Sequence, residues 1–194
     1  MSAPGARPPS PTSKPVIAVF GSSTIAPSDP GWAVAEELGE RLARAGYAVM
    51  NGGYGGAMEA VSQGARRHGT EVIGVTTALF NQRGANAYLT HREDTSTLLE
   101  RLDYLIHTAA GFVVLEGSIG TMAELFLTWN LLAVDGRPGA PLVLLGPAWP
   151  AFLAAARAPG LVVPELGRLL RTAETPERAV EMLRAGIPQG APSH

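Results

Sequence analysis

Short, almost wholly apolar runs recur along the chain, at Val16–Phe20 (VIAVF), 47–50 (YAVM), 72–75 (VIGV), 112–115 (FVVL) and Leu142–Leu145 (LVLL), with helical patterns between them. A strand with one wet face alternates apolar and polar residues. A run that is apolar throughout must be covered on both faces, as in a parallel sheet sandwiched by helices. The pattern predicts a single α/β domain with a Rossmann-like, doubly wound, mainly parallel sheet and helices on both faces. Right-handed crossovers then bring every strand-to-helix turn to one edge of the sheet, where such folds bind ligands.

The connecting segments carry helix signals. Ser28-Asp29-Pro30 supplies cap candidates and a first-turn proline for a helix that buries Trp32, Ala35, Leu38, Leu42 and Ala45 and stops at Gly46. A second helix is expected over Ala57–Arg67. Residues 79–87 read as a loop leading to a short candidate strand at 88–91. Thr97-Leu98-Leu99-Glu100 fits a capping box for a helix running to about 108. The segment Ile119–Val134 is apolar nearly all round, so it belongs in the core or against a partner. Leu142–Leu145 reads as the last clear strand, and Thr175-Pro176-Glu177 opens a terminal amphipathic helix. Residues 1–14 and 186–194, rich in Pro, Ser, Ala and Gly, read as flexible tails around a domain at 15–185.

Composition excludes several classes of chemistry. Cysteine is absent, which removes disulfides, thiol nucleophiles and cysteine-ligated zinc. Lys14 is the single lysine, so neither a Schiff base nor a Walker-type phosphate lysine is available in the folded part, and GxxxxGK[ST] does not occur. Fifteen basic against seventeen acidic residues give a net charge of −2, without the basic footprint of a nucleic-acid-binding protein. No apolar run approaches the roughly 20 residues that span a bilayer, and the N-terminal stretch lacks the apolar core of a secretory signal. A cytoplasmic location without membrane contact is the expectation. His68, His91 and His107 have no ligand spacing, so neither a metal site nor a bound cofactor is expected. Trp129 and Trp149 read as core or interface residues rather than stacking platforms.

Three turns at the predicted ligand edge are unusual: Gly21-Ser22-Ser23-Thr24, Gly52-Gly53-Tyr54-Gly55-Gly56 and Gly117-Ser118-Ile119-Gly120-Thr121. Glycine lets the backbone approach a ligand closely, and unpaired N–H groups at a helix start attract anions. None of the turns matches GxGxxG, so a phosphate-bearing ligand is indicated without a dinucleotide fingerprint. Helical spacing sets Gly120, Thr121, Glu124 and Thr128 on one stripe, and Met122, Leu125, Phe126, Trp129 and Leu132 on another that should be buried. Glu124 alone is either a working carboxylate or an acidic residue favoured by the helix dipole. Arg101 alone is either a phosphate or carboxylate partner or an ordinary surface arginine.

The interval from Arg101 to Gly117-Ser118-Ile119-Gly120-Thr121-Met122-Ala123-Glu124 resembles the arginine and PGGxGTxxE signature of the LOG family, the cytokinin riboside 5′-monophosphate phosphoribohydrolases once described as lysine decarboxylases. Val19-Phe20-Gly21-Ser22-Ser23 is similar to that family's first strand and phosphate turn. The stretch from Asn51 to Ala65, including Gly52, Gly53, Gly56 and Met58, is similar to its second glycine motif and also to that of the molybdenum-cofactor carrier-like proteins. The resemblance covers roughly residues 16 to 146. It implies cleavage of the N-glycosidic bond of a purine or cytokinin-type nucleoside 5′-monophosphate (AMP-like) and a homodimer built across the Ile119–Val134 helix. By the same resemblance, Glu124 and Arg101 are catalytic, and Gly21, Ser22, Ser23, Gly52, Gly53, Gly56, Met58, Gly117, Ser118, Ile119, Gly120 and Thr121 bind the nucleotide. The alternative is a non-catalytic nucleotide-binding or carrier-like protein on the same fold. The chain departs from the signature with Glu116 and Ser118 where the family has proline and glycine, and with Leu102 where it has lysine. An inward Glu116 would weaken anion binding, and Ser118 fits only if its φ is not positive.

Overall fold

The computed structural model describes residues 11–134, 140–158 and 164–187. The tail expectations for residues 1–10 and 188–194 lie outside the described residues. The chain runs β1 (Val16–Phe20), α1 (Pro30–Arg44), β2 (Ala48–Asn51), α2 (Ala57–Arg67), β3 (Val72–Thr77), a 3-10 segment (Ala78–Arg83) and β4 (His91–Thr95). It continues through α3 (Leu98–Thr108), β5 (Gly111–Leu115), α4 (Ile119–Val134) and β6 (Leu142–Leu145). It ends with α5 (Trp149–Arg157), α6 (Pro164–Gly167), β7 (Leu170–Ala173) and α7 (Pro176–Gly186). All seven strands are parallel, in the order β4-β3-β2-β1-β5-β6-β7.

The sheet is covered on both faces. Ile17, Val19, Val49, Val113 and Val143 pack against α1, α2 and α7 through Leu38, Leu42, Val61 and Leu183. Val16, Ala18, Phe20, Met50, Val114 and Leu144 pack against α3, α4 and α5 through Leu105, Leu125, Trp129 and Leu153. Strand order reverses between β1 and β5, which opens a crevice at their carboxyl ends. Among the described residues, no helix is long and apolar enough to cross a membrane.

Several expected boundaries shift. The second strand starts at Ala48 and reaches Asn51, because the Asn51 side chain is satisfied inside the fold. The strand expected at 88–91 forms at His91–Thr95 instead, where the sheet edge needs no apolar run. β7, a further edge strand with only its two end residues buried, follows the one read as last. Phe126, expected in the core, is 46% exposed, because it faces an open groove lined by Phe152 of α5 and Leu166 of α6. Thr12 is buried, and Lys14 pairs with Glu71 at 2.7 Å, so the chain is docked before residue 15. At the other end Ile187 packs into the α7 side of the core. The capping box forms as read: Thr97 Oγ1 accepts from the Glu100 amide at 3.1 Å and the Glu100 carboxylate accepts from the Thr97 amide at 3.2 Å.

Candidate active site

The three glycine-rich turns meet at the β1/β5 crevice and are fitted into one another. Gly56 has φ +69, and a side chain there would strike the backbone of Ser22 and Ser23. The Ala57 amide donates to the Ser22 carbonyl at 2.8 Å, which joins the second turn to the first. Gly117 lies against the Thr121 side chain and the Ser22 amide, which joins the third turn to the first.

A buried asparagine fixes the second turn from below. Asn51 Nδ2 donates to Ser62 Oγ at 2.9 Å and to the Met58 carbonyl at 3.2 Å. Its Oδ1 accepts from the Gly53 amide at 2.8 Å. Every polar atom of a residue with no solvent exposure is thereby used, so the turn is held in one shape.

Together the turns enclose a cavity of about 260 Å³. Gly21 and Ser23 line it from the first turn, Gly52 and Met58 from the second, and Ser118, Ile119, Gly120 and Thr121 from the third. Arg101 and Glu124 line it as well. Ser22, Gly53, Gly56 and Gly117, expected to bind the ligand, are not part of the lining. Ser22 Oγ is engaged with Thr24 at 3.0 Å, and the three glycines shape the turns from behind.

Arg101 enters from α3 and Glu124 from the second turn of α4. The Arg101 side chain is 7% exposed and that of Glu124 12%. Arg101 Nε donates to the Val75 carbonyl at 2.8 Å, and its Nη1 faces Glu124 Oε1 at 3.4 Å. Its guanidinium lies 6.0 Å from the centre of the Tyr54 ring. Burial raises the Glu124 pKa to about 7 against the opposing pull of Arg101. A carboxyl poised there can exchange a proton at neutral pH.

Two of the three departures from the signature, Glu116 and Ser118, have a local explanation. Glu116 turns away from the cavity, and its Oε1 accepts from the Ala148 amide at 2.8 Å, just ahead of α5. Among the described residues only glycines have positive φ, so Ser118 takes its place without strain. Val19, Phe20, Tyr54 and Phe80 also line the cavity without having been expected as site residues. Tyr54 sits inside a recognised motif, but nothing local in the sequence draws Phe80 to the cavity.

The fold and crevice define a doubly wound α/β protein with a buried Arg–Glu pair beneath interlocked glycine turns. The chain belongs to the SLOG cluster4 family (LDcluster4), whose model matches residues 14–133. A cytokinin riboside 5′-monophosphate phosphoribohydrolase of Mycobacterium tuberculosis is 33% identical over 122 residues, which cover 59% of this chain and 62% of that protein. The molybdenum cofactor binding protein of Rippkaea orientalis matches with a TM-score of 0.69 and 23% identity over 89% of this chain and 96% of the other. The molybdenum cofactor carrier protein of Chlamydomonas reinhardtii matches at 0.67 and 24%, covering 89% and 97%. At that identity the two structures share the fold with this chain.

Proposed function

We propose that this protein hydrolyses the N-glycosidic bond of a purine nucleoside 5′-monophosphate, releasing free base and ribose 5-phosphate. The observation that carries the reading is the Arg101–Glu124 pair, buried on the wall of a cavity made by three glycine-rich turns. The name of the mycobacterial relative supports it.

The phosphate lies at the start of α4, where first-turn amides lack intrahelical acceptors and the helix dipole favours an anion. The hydroxyls of Ser23, Ser118 and Thr121 line the same cavity. As the C1′–N bond breaks, positive charge develops on the sugar, and the Glu124 carboxylate stabilises it. Water adds its oxygen to C1′ and gives one proton to Glu124. The departing base nitrogen takes a proton in turn, so the carboxylate is restored. Arg101, spent on Val75 and Glu124, works by holding that carboxylate in place.

The alternative, a non-catalytic nucleotide-binding or carrier-like protein, drew on Glu116 and Ser118. With Glu116 turned toward Ala148 and Ser118 unstrained, neither residue favours it. As the partner of the reading, a second copy of the chain seats on the exposed apolar side of α4, around Phe126.

The deciding experiment incubates the protein with AMP, other nucleoside monophosphates and a cytokinin riboside monophosphate, and follows free base by chromatography. Release that disappears in Glu124→Gln is the expected result. Nucleotide binding without release from any of them would sink the hydrolase reading and return the carrier alternative.

A further inference from the structure

The cavity has two chemically different ends. Toward β1 and β5 its lining carries the glycines and hydroxyls of Gly21, Ser23, Ser118, Gly120 and Thr121 beside Val19, Phe20 and Ile119, and the Phe20 ring itself is committed to the core against Phe112. Toward β2 and β3 it is aromatic, with Tyr54 from the second turn and Phe80 from the segment after β3. Tyr54 brings a ring and no free hydroxyl: its oxygen accepts from the Thr77 amide at 2.9 Å and donates to the Thr77 carbonyl at 3.1 Å. Its backbone carbonyl is tied to Asn86 Nδ2 at 3.1 Å. The ring is therefore rigid, and Phe80 sits edge-on to it with centroids 5.8 Å apart. Phe80 interrupts the helical backbone of the Ala78–Arg83 segment with φ −117 and ψ 22, and its half-buried ring lines the cavity.

We infer that Phe80, braced by Tyr54, is the stacking face for the base of the nucleotide. This rests on the nucleotide reading above and fixes the direction in which the ligand lies. The third turn follows β5 and Phe80 follows β3, three strand steps apart along the sheet edge, or roughly 14 Å. That is the reach of an extended nucleotide, not of a phosphate or sugar phosphate alone. A pre-fixed aromatic face costs little ordering on binding and accepts any flat π surface. The sugar then spans the middle, beside Glu124 and Arg101.

The test compares AMP with ribose 5-phosphate, which lacks the base, by calorimetry in a Glu124→Gln background that prevents turnover. Phe80→Leu keeps apolar bulk and removes the π face; Phe80→Trp restores one. Phe80→Leu is expected to weaken AMP by roughly 10-fold or more, with ribose 5-phosphate unchanged and Phe80→Trp close to the parent. Equal AMP affinity in the parent and Phe80→Leu overturns the inference while the nucleotide reading stands. AMP binding no tighter than ribose 5-phosphate in the parent also overturns it. If neither compound binds the parent, the nucleotide reading falls and this inference with it.

Discussion

Gly52 and Arg101 share one space: a Cβ on Gly52 would fall on the position of Arg101 Nη2 and crowd Met58 Sδ. The guanidinium reaches Glu124 only because position 52 has no side chain. Gly52→Ala is expected to push Arg101 off its Val75 and Glu124 contacts and lower base release by about 100-fold, as small misplacements in active sites do. A thermal melt that still shows a cooperative fold separates this from simple unfolding. Undiminished turnover would mean that Arg101 has no part in positioning Glu124.

The pH dependence of turnover follows from Glu124. The working form is the carboxylate, and burial raises the pKa of the group to about 7. On the proposed mechanism, kcat/KM is expected to climb as pH rises from 5, with its midpoint near 7, and then to level off. A rate independent of pH across that range would remove Glu124 from the chemistry.

The same group makes stability depend on pH in a definite direction. The unfolded carboxyl titrates near 4.5 and the folded one near 7, so between them the folded state holds a proton that the unfolded state releases. Stability at this site is complete below pH 4.5 and declines as pH rises through 7. Glu124→Gln cannot ionise, so it should be the more stable protein at pH 8, by up to about 3 kcal/mol. Near pH 4.5 the two should converge. Urea melts at both pH values measure the difference; a variant that is less stable at pH 8 would contradict the buried-carboxylate account.

The homodimer proposal rests on a groove of about 420 Å³ among α4, α5 and α6, lined by Phe126, Trp129, Phe152 and Leu166. Burying such an aromatic surface is the usual driving force of association. Light scattering at micromolar concentration is expected to show twice the chain mass, and Phe126→Glu to halve it. A wild-type protein that stays monomeric would end this proposal.

What could be read from the chain depended on burial. Strands covered on both faces announce themselves as apolar runs, so β1 and β6 were legible to the residue. β4, with the sequence HREDT, and β7, with LRTA, lie at the sheet edges, where β4 is largely exposed and β7 is buried only at its ends, so neither carries such a run. Glu124 and Arg101 were ambiguous as single residues and stood out only through the interval they share with the LOG signature. Phe80 was illegible, since its place depends on a local break in helical backbone that no neighbouring residue signals. The direction of Glu116 was likewise undecidable locally: its partner, the Ala148 amide, is thirty-two residues away.

Interlocked turns also bear on how such a protein can change. Ser22, Gly56, Ala57 and Gly117 occupy spaces cut from one another, so altering the length of any one turn disturbs the other two. The glycine-turn end of the cavity is therefore frozen as a unit. At the aromatic end Tyr54 belongs to the second turn, but Phe80 is a separate insert: it arrives on a short segment beyond β3 that none of the three turns contains. Ligand preference can drift by exchanges in that segment while the shared floor stays intact, so divergence in specificity should accumulate there first.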